Sequence, residues 1–320
     1  MHETASLRLV DPELLSVIDP YPQVGLPITD VREVRNELAR MLAASPRPSD
    51  ARVERAEVWI PGRKGASDVR ALIYSPVNRS GPLPAVLHIH GGGYVVGAPE
   101  FAEAGNLSLA ADLGCLVCSV DYRLAPEHPH PAPLDDCYTA LIWLHDEAAV
   151  LALDRTRVAV KGESAGGGIA AALALAARDA GGPPLRFQHL TAPMIDDRTC
   201  VEGDPHPLVG EFVWNRERNR QGWEALLGHP PGLDGVSHLA AAARARELSS
   251  LPAAYIAVGA LDLFLEENLD YGRRLTRAGV PVEMHVYPGA FHGFGAAVQA
   301  RVAQAAARDS REALRRALLG

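Results

Sequence analysis

The chain has 320 residues, a length that suits one large domain with an appendage or two domains. With 48% apolar and 22% charged residues, its composition is that of a globular protein able to bury a core. The net charge of −8 argues against nucleic acid or an anionic membrane as a partner, because an acidic surface does not attract polyanions over long range.

The first ~50 residues predict two helices that belong to no sheet unit. Asp11 stands before a proline, as an N-cap does, and Asp30 precedes a second segment whose apolar residues recur at helical spacing. A proline-rich loop (20–27) separates the two segments, and the stretch SPRPSD (45–50) ends the second. We interpret residues 1–50 as the N-terminal part of a helical cap.

From residue 53 onward, strand and helix patterns alternate. Apolar, β-branched runs predict strands at 53–60, 68–74, 84–90, 115–122, 157–161, 186–193, 253–259 and 282–287. Helical patterns are predicted at 134–145, 165–178, 264–278 and from about 296 to the end. This alternation is typical of an α/β fold, in which helices cover both faces of a mostly parallel sheet.

One region interrupts the alternation. Residues 195–235 contain Asp, Pro, Gly and Trp in no regular period. We interpret them as a cap insertion that divides the α/β core into a first part (51–194) and a second part (236–320).

The cysteines and histidines give no pattern typical of a metal site. Cys115 and Cys118 form a CxxC pair, which is found in zinc and redox sites. Their apolar, β-branched context predicts a buried strand, however, and residues three apart on a strand point to opposite faces. The histidines show no HExxH-type spacing. The sequence therefore predicts no metal site, and we expect no cofactor.

The strongest motif is Gly162-Glu163-Ser164-Ala165-Gly166, which matches G-x-S-x-G. A strand leads into it and a helix rich in glycine and alanine leaves it, as in the sharp turn that exposes a nucleophilic serine. The positive N-terminus of that helix would point at the reaction. A glycine-rich phosphate loop is the alternative, but the Lys-Ser or Lys-Thr pair of a Walker loop is missing. We predict Ser164 as the nucleophile.

A second motif, His90-Gly91-Gly92-Gly93, directly follows an apolar strand. Its backbone N–H groups, together with that of Ala165, are suited to stabilise the oxyanion of a tetrahedral intermediate. A flexible surface loop is the alternative, but it explains poorly why a strand ends directly in the glycines.

The base and the acid follow in the chain. His292 lies in a glycine-flanked loop between the last predicted strand and the last helix. Folds that use this serine turn place the acid between the serine and the histidine, and Asp262, just after a predicted strand, meets that order. Its task would be to orient the imidazole and stabilise its charged form. Glu266, Glu267 and Asp270 lie in the following helix and are weaker candidates.

With these motifs the chain resembles the hormone-sensitive lipase family, the bacterial group of α/β-hydrolase esterases. The matching segments are HGGGYVVG (90–97), DYRLAPEHPHPAPLDD (121–136), GESAGG (162–167), the segment around Asp262 and FHGF (291–294). The resemblance covers about residues 84–320. It implies an eight-stranded sheet, a helical cap and ester hydrolysis without a cofactor. It also implies an oxyanion hole from Gly92, Gly93 and Ala165, with Gly91 as a further candidate.

The sequence departs from the family at two places. Glu163 stands where many relatives carry Asp or Thr, and Leu263 and Phe264 replace the Pro-Leu that often follows the acid. Neither change removes a catalytic group. We interpret Glu163 as a structural carboxylate bonded to neighbouring loops rather than as a catalytic one.

The substrate is less well defined than the chemistry. Tyr94, Phe212 and Trp214 are candidates for lining a pocket over the serine, and the resemblance favours short- to medium-chain acyl esters. An amidase, peptidase or lactonase with the same triad is an alternative, because fold and triad do not set the leaving group. A non-catalytic receptor for small molecules is a further alternative, which the presence of His292 disfavours.

The beginning of the chain lacks the basic start and the uninterrupted apolar stretch of a signal peptide. No apolar run reaches the ~20 residues of a membrane span. We therefore expect a cytoplasmic protein acting on a small-molecule ester; a homodimer is left open.

Overall fold

A computed structural model describes residues 5–18, 30–63, 65–201, 203 and 205–320. The proline-rich loop expected at 20–27 lies outside these ranges. The described residues form one eight-stranded sheet in the order β1-β2-β4-β3-β5-β6-β7-β8. Its strands are β1 (Val53–Ile60), β2 (Val69–Pro76), β3 (Leu83–Ile89), β4 (Leu116–Asp121), β5 (Leu153–Glu163), β6 (Phe187–Thr191), β7 (Ala253–Gly259) and β8 (Val282–Tyr287).

Only β2 runs against its neighbours, because β1–β2 and β2–β4 pair antiparallel and the other pairs are parallel. Parallel neighbours need crossover connections, and helices supply them. The described helices are α1 (Val31–Ala44), α2 (Glu103–Leu113), α3 (Ala132–Asp146), α4 (Ala165–Asp179), α5 (Arg216–Leu227), α6 (Leu265–Arg277) and α7 (Arg301–Leu319). The expected α/β class and mostly parallel sheet are confirmed.

The helices cover both faces of the sheet. One apolar cluster joins α3, α4 and α6 to one face, and a second joins α2 and α7 to the other. Cys118 belongs to the first cluster and Cys115 to the second, so the two thiols point to opposite faces as the sequence predicts. Burial raises the pKa of both thiols to about 12. None of the described helices combines the length and apolarity needed to cross a bilayer.

Two helices were not predicted from the sequence. Helix α2 buries one face, but that face includes Glu103 and Asn106 and the opposite face includes Ala104 and Ala111, so its apolar residues form no clear stripe. Helix α5 lies inside the insertion that showed no period. The Asn215 side chain caps it by accepting from Arg218 N at 2.9 Å, and Gly228 ends it in the left-handed conformation. Both ends carry residues typical of helix caps. The helix between them is mostly polar and few of its residues are buried, so it shows no apolar period.

A row of polar side chains crosses the face of the sheet that α2 and α7 cover. Register places Ser119 beside His88, His88 beside Lys161, Lys161 beside His189, and His189 beside Tyr255. The row is internally bonded: the His88 and Ser119 side chains lie 2.8 Å apart, and the His189 ring stacks on Tyr255 at 4.4 Å. Buried polar groups are stable only with such partners.

Three buried histidines give the protein an expected acid sensitivity. Burial lowers the pKa of His90 to about 4 and holds the pKa values of His88 and His189 well below the usual range. Below pH ~6.5 the unfolded chain binds protons on these imidazoles and the folded chain does not. We therefore expect the free energy of unfolding to fall as the pH drops from ~6.5 towards 4, by up to ~1.4 kcal/mol per pH unit for each histidine.

Urea denaturation at pH 7, 6 and 5 measures this slope. His189→Gln should remove the contribution of one histidine from the change in free energy of unfolding with pH. His229→Gln, at an exposed position, should leave that change as it is in wild type. Burial raises the pKa of Glu267, which acts in the opposite direction, so the comparison with the variant is the decisive one. An equal slope in wild type and His189→Gln would contradict the assignment of His189 as neutral.

Candidate active site

Ser164 lies at the turn between β5 and α4, the strand and helix that the motif predicts. Its backbone is at φ 55° and ψ −122°, a positive-φ conformation that residues with a side chain rarely adopt. The flanking glycines make the turn sterically possible: a Cβ on Gly162 would lie 2.2 Å from Gly166 O, and one on Gly166 would lie 2.1 Å from Ile89 O. The turn holds the serine hydroxyl clear of both elements.

Ser164, His292 and Asp262 form one hydrogen-bonded chain. His292 Nε2 lies 3.0 Å from Ser164 Oγ, and His292 Nδ1 lies 2.8 Å from Asp262 Oδ2. The carboxylate can only accept, so Nδ1 carries the proton and Nε2 is left to accept from the serine hydroxyl. These are the distances needed for proton transfer from a nucleophile to a base.

Asp262, the predicted acid, is held in place and shielded from solvent. Asp262 is 1% exposed, and its second carboxylate oxygen accepts from the backbone N–H of Phe264 at 3.0 Å. The Phe264 ring meets the His292 ring edge-on, with centroids 5.2 Å apart. The competing carboxylates lie elsewhere on α6; Glu267, for example, accepts from the backbone N–H of Ile195 at 2.7 Å.

The glycine loop passes directly beside the serine. A Cβ on Gly91 would lie 3.3 Å from Ser164 Cβ. Within the described ranges, the backbone N–H groups of Gly92, Gly93 and Ala165 donate to no protein atom. Three unused donors therefore stand near the serine, as an oxyanion hole requires.

Helix α1 fixes the segment that follows the glycines. Arg35 Nε donates to Val95 O at 2.8 Å, and its Nη2 donates to Ala125 O at 2.7 Å. The same guanidinium forms a two-pronged ion pair with Glu127. The N-terminal segment thus contacts the core at the edge of the site.

The three pocket candidates occupy different positions. Trp214 lies at the site: a Cβ on Gly93 would be 2.3 Å from its ring, and its centroid is 6.2 Å from that of His292. Tyr94 is buried, with its hydroxyl donating to Met194 O at 2.7 Å. Phe212 is also buried and packs on Phe291. The structure therefore brings only Trp214 of the three beside the triad.

A partly buried ion pair adjoins Ser164, and it was not predicted from the sequence. Glu163 accepts from His88 Nε2 at 3.0 Å and pairs with the Lys161 ammonium. Burial lowers the pKa of Lys161 to about 8, while the adjacent carboxylate acts in the opposite direction. Glu163 is bonded to strand residues rather than to the loops expected for it. The signal in the sequence was a lysine that directly follows the apolar run Val158-Ala159-Val160.

A cavity of about 410 Å³ opens beside the triad on the α7 side of the sheet. Ser164, Asp262 and His292 all line it, so a molecule in the cavity would reach the nucleophile. Among the described residues, no three His, Cys, Asp or Glu side chains gather closely enough to hold a metal ion. The chemistry that this site supports is nucleophilic attack by an activated serine.

Comparison with known proteins agrees with this geometry. A family model described as the alpha/beta hydrolase fold matches residues 86–296. Carboxylesterase NlhH of Mycobacterium tuberculosis is 36% identical over 291 residues, which cover 89% of this chain and 88% of the relative. An arylesterase of Saccharolobus solfataricus is 29% identical over 300 residues, covering 89% of this chain and 92% of the relative.

Solved structures give the same result. A bacterial heroin esterase superposes with a TM-score of 0.89 at 36% identity, covering 97% of this chain and 98% of the other. Esterase LipW from Mycobacterium marinum superposes with a TM-score of 0.79 at 32% identity, covering 98% of each chain. The likeness therefore extends over nearly the whole molecule.

Proposed function

Because this chain belongs to the hormone-sensitive-lipase-like family of α/β-hydrolase-fold esterases, we propose that it hydrolyses carboxylic esters through an acyl-enzyme on Ser164. The observation that carries the proposal is the hydrogen-bonded chain from Ser164 Oγ through His292 to the buried carboxylate of Asp262. A serine hydroxyl is a weak nucleophile unless such a base removes its proton.

In the proposed reaction, His292 Nε2 takes the proton of Ser164 as Oγ attacks the ester carbonyl. The N–H groups of Gly92, Gly93 and Ala165 stabilise the oxyanion that forms, with the N–H group of Gly91 as a further candidate donor. His292 then returns the proton to the leaving alkoxide. A water molecule, deprotonated by the same imidazole, attacks the acyl-enzyme and releases the carboxylic acid.

Residues 1–50 and 195–235 are proposed to act as a cap over this site. Arg35 of α1 ties the first segment to the loop behind the glycines, and Trp214 of the second lies beside Gly93 and His292. Both segments thus reach the edge of the site, where the acyl or alcohol part of a substrate would lie. We propose short- to medium-chain acyl esters as substrates.

A fluorophosphonate probe and a substrate panel test this function. The probe should label the wild-type protein at Ser164, which a receptor without an activated serine would not allow. The panel should contain p-nitrophenyl acetate and butyrate, a lactone and an anilide of the same acyl groups. Faster turnover of the anilide or the lactone than of the esters would show that amides or lactones, and not open-chain carboxylic esters, are the preferred substrates.

Trp214→Ala should change the preference for acyl-chain length more than it changes the reactivity of Ser164. A methylene held against an apolar surface contributes roughly 0.8 kcal/mol, about fourfold in kcat/KM. Butyrate has two methylenes more than acetate, so we expect the ratio of kcat/KM for p-nitrophenyl butyrate over acetate to fall by up to roughly 15-fold, with a smaller change in the rate of fluorophosphonate labelling. Trp59→Ala removes a tryptophan that is 62% exposed on β1, and it serves as the matched control. An equal loss of reactivity towards both esters and the probe would show that Trp214 contributes to stability and not to selectivity.

A further inference from the structure

The cavity beside Ser164 extends beyond the three residues of the triad. It extends from Ser164 and His292 along the face of the sheet that α7 covers. The side chains that α7 directs into it are all small, and they are Ala303, Ala306, Ala307 and Ser310. Since no large side chain of α7 fills the gap, about 410 Å³ stays open, within the range of small-molecule pockets.

The sheet side of this cavity carries a polar group. Lys161 lines it three residues before the nucleophile, and its side chain is 16% exposed. Within the described residues the ammonium bonds only to Glu163. An ammonium has three N–H donors, so two are available to a molecule in the cavity. Tyr255 and Tyr287 also line the cavity.

The surrounding charges favour an uncharged acceptor over an anion. Glu163 compensates the charge of Lys161, and Asp262 adds negative charge at the triad. Asp309, which accepts from Tyr287 at 3.1 Å, is paired with Arg308 behind the other wall, so that wall adds no net positive charge. A carbonyl or ether oxygen can accept from Lys161 without breaking the ion pair, whereas an alkyl group would leave the donors unpaired.

We propose that this cavity is a subsite for esters that carry an uncharged hydrogen-bond acceptor away from the scissile carbonyl, and that Lys161 selects them. The acceptor is a keto, ether or second ester oxygen. At a rise of ~3.3 Å per residue, the Cα atoms of Lys161 and Ser164 lie up to ~10 Å apart on this wall. The test esters carry the acceptor oxygen five bonds from the scissile carbon. This inference rests on the proposed hydrolysis at Ser164.

Two matched pairs of substrates test the subsite. The acyl pair is p-nitrophenyl 5-oxohexanoate and p-nitrophenyl hexanoate; the alcohol pair is 3-oxobutyl acetate and butyl acetate. In one of the two pairs the keto ester should have the higher kcat/KM by roughly tenfold or more, as expected for a hydrogen bond from a charged donor. The pair that shows the preference identifies which part of the substrate enters the cavity.

Lys161→Met should bring that ratio close to one. Both members of a pair use the same triad, so an effect of the variant on Ser164 cancels in the ratio. No preference in either pair, or a preference that survives in Lys161→Met, would overturn the subsite. So would a p-nitrophenyl glutarate monoester that outperforms the hexanoate, because its carboxylate should be repelled.

A second variant keeps the test valid if Lys161→Met does not fold. Ala306→Leu should fill the cavity and lower kcat/KM for the pair that enters it relative to p-nitrophenyl acetate, and Ala305→Leu, one position along α7 and outside the cavity, should not. Equal effects of the two variants would overturn the subsite. A wild-type protein that the fluorophosphonate does not label would instead overturn the ester hydrolysis on which it rests.

Discussion

Ser164→Ala is expected to lower kcat for p-nitrophenyl acetate by roughly 10⁴- to 10⁶-fold, as loss of the nucleophile does in serine hydrolases that act through a triad. The change removes one hydroxyl, whose partner is His292 Nε2 at 3.0 Å, and it leaves the backbone turn and its Cβ in place. The protein should therefore stay folded. The measurement is the initial rate at saturating ester, together with the urea midpoint of both proteins.

Labelling by a fluorophosphonate provides the control for this variant. Wild type should be labelled and Ser164→Ala should not. If the variant kept more than a few per cent of the wild-type kcat at an unchanged urea midpoint, another nucleophile would be responsible for the hydrolysis.

Asp262→Asn is expected to lower kcat by roughly 10³- to 10⁴-fold while Ser164 and His292 remain in place. In the native site the carboxylate accepts from both His292 Nδ1 and the N–H of Phe264. With the backbone amide still occupying the side-chain oxygen, the new NH₂ group would face His292 Nδ1. That arrangement places the imidazole proton on Nε2, where it cannot accept from the serine.

Asp270→Asn is the matched control, because it makes the same change on α6 at a carboxylate that is 49% exposed and pairs with Arg273. It should retain the wild-type kcat. A loss of less than about tenfold in Asp262→Asn, or an equal loss in both variants, would show that a different group orients His292.

The parts of the site that could be predicted from sequence are those that local geometry imposes. A turn as sharp as that at Ser164 requires glycine on either side, so the motif fixes the strand, the serine and the helix together. The loop of His292 and the position of Asp262 follow from the order of strands, because parallel strands bring their carboxyl ends to one edge of the sheet. The three residues lie within hydrogen-bonding distance in the structure.

The parts that were missed depend on contacts between distant segments. The buried face of helix α2 includes the polar residues Glu103 and Asn106, so its hydrophobic pattern does not mark which face packs on the sheet. Strand β5 begins at Leu153 rather than at 157 because it pairs with β3 across an irregular register. The final helix begins at Arg301 rather than near 296, because a short 3₁₀ turn, Phe294–Ala296, follows Gly293.

The pocket residues were also hard to predict, because their contacts are with distant segments. Tyr94 and Phe212 were candidates because they are aromatic and follow suggestive segments, but each packs inward on a partner far along the chain. Lys161 was overlooked for the opposite reason: a lysine in a strand is usually read as solvent-facing. Its neighbours His88 and His189 in the sheet become visible only once the register is known.

The conformation of Ser164 makes the native sequence a compromise between durability and function. Its positive φ costs a residue with a Cβ about 1–3 kcal/mol, and glycine would avoid most of that cost. Ser164→Gly should therefore be more stable than Ser164→Ala, and the difference between the two dead variants would measure what the fold gives up to present a nucleophile. A laboratory selection for heat resistance alone would be free to discard the serine, so any thermostabilised version of this enzyme has to be screened for turnover at every round.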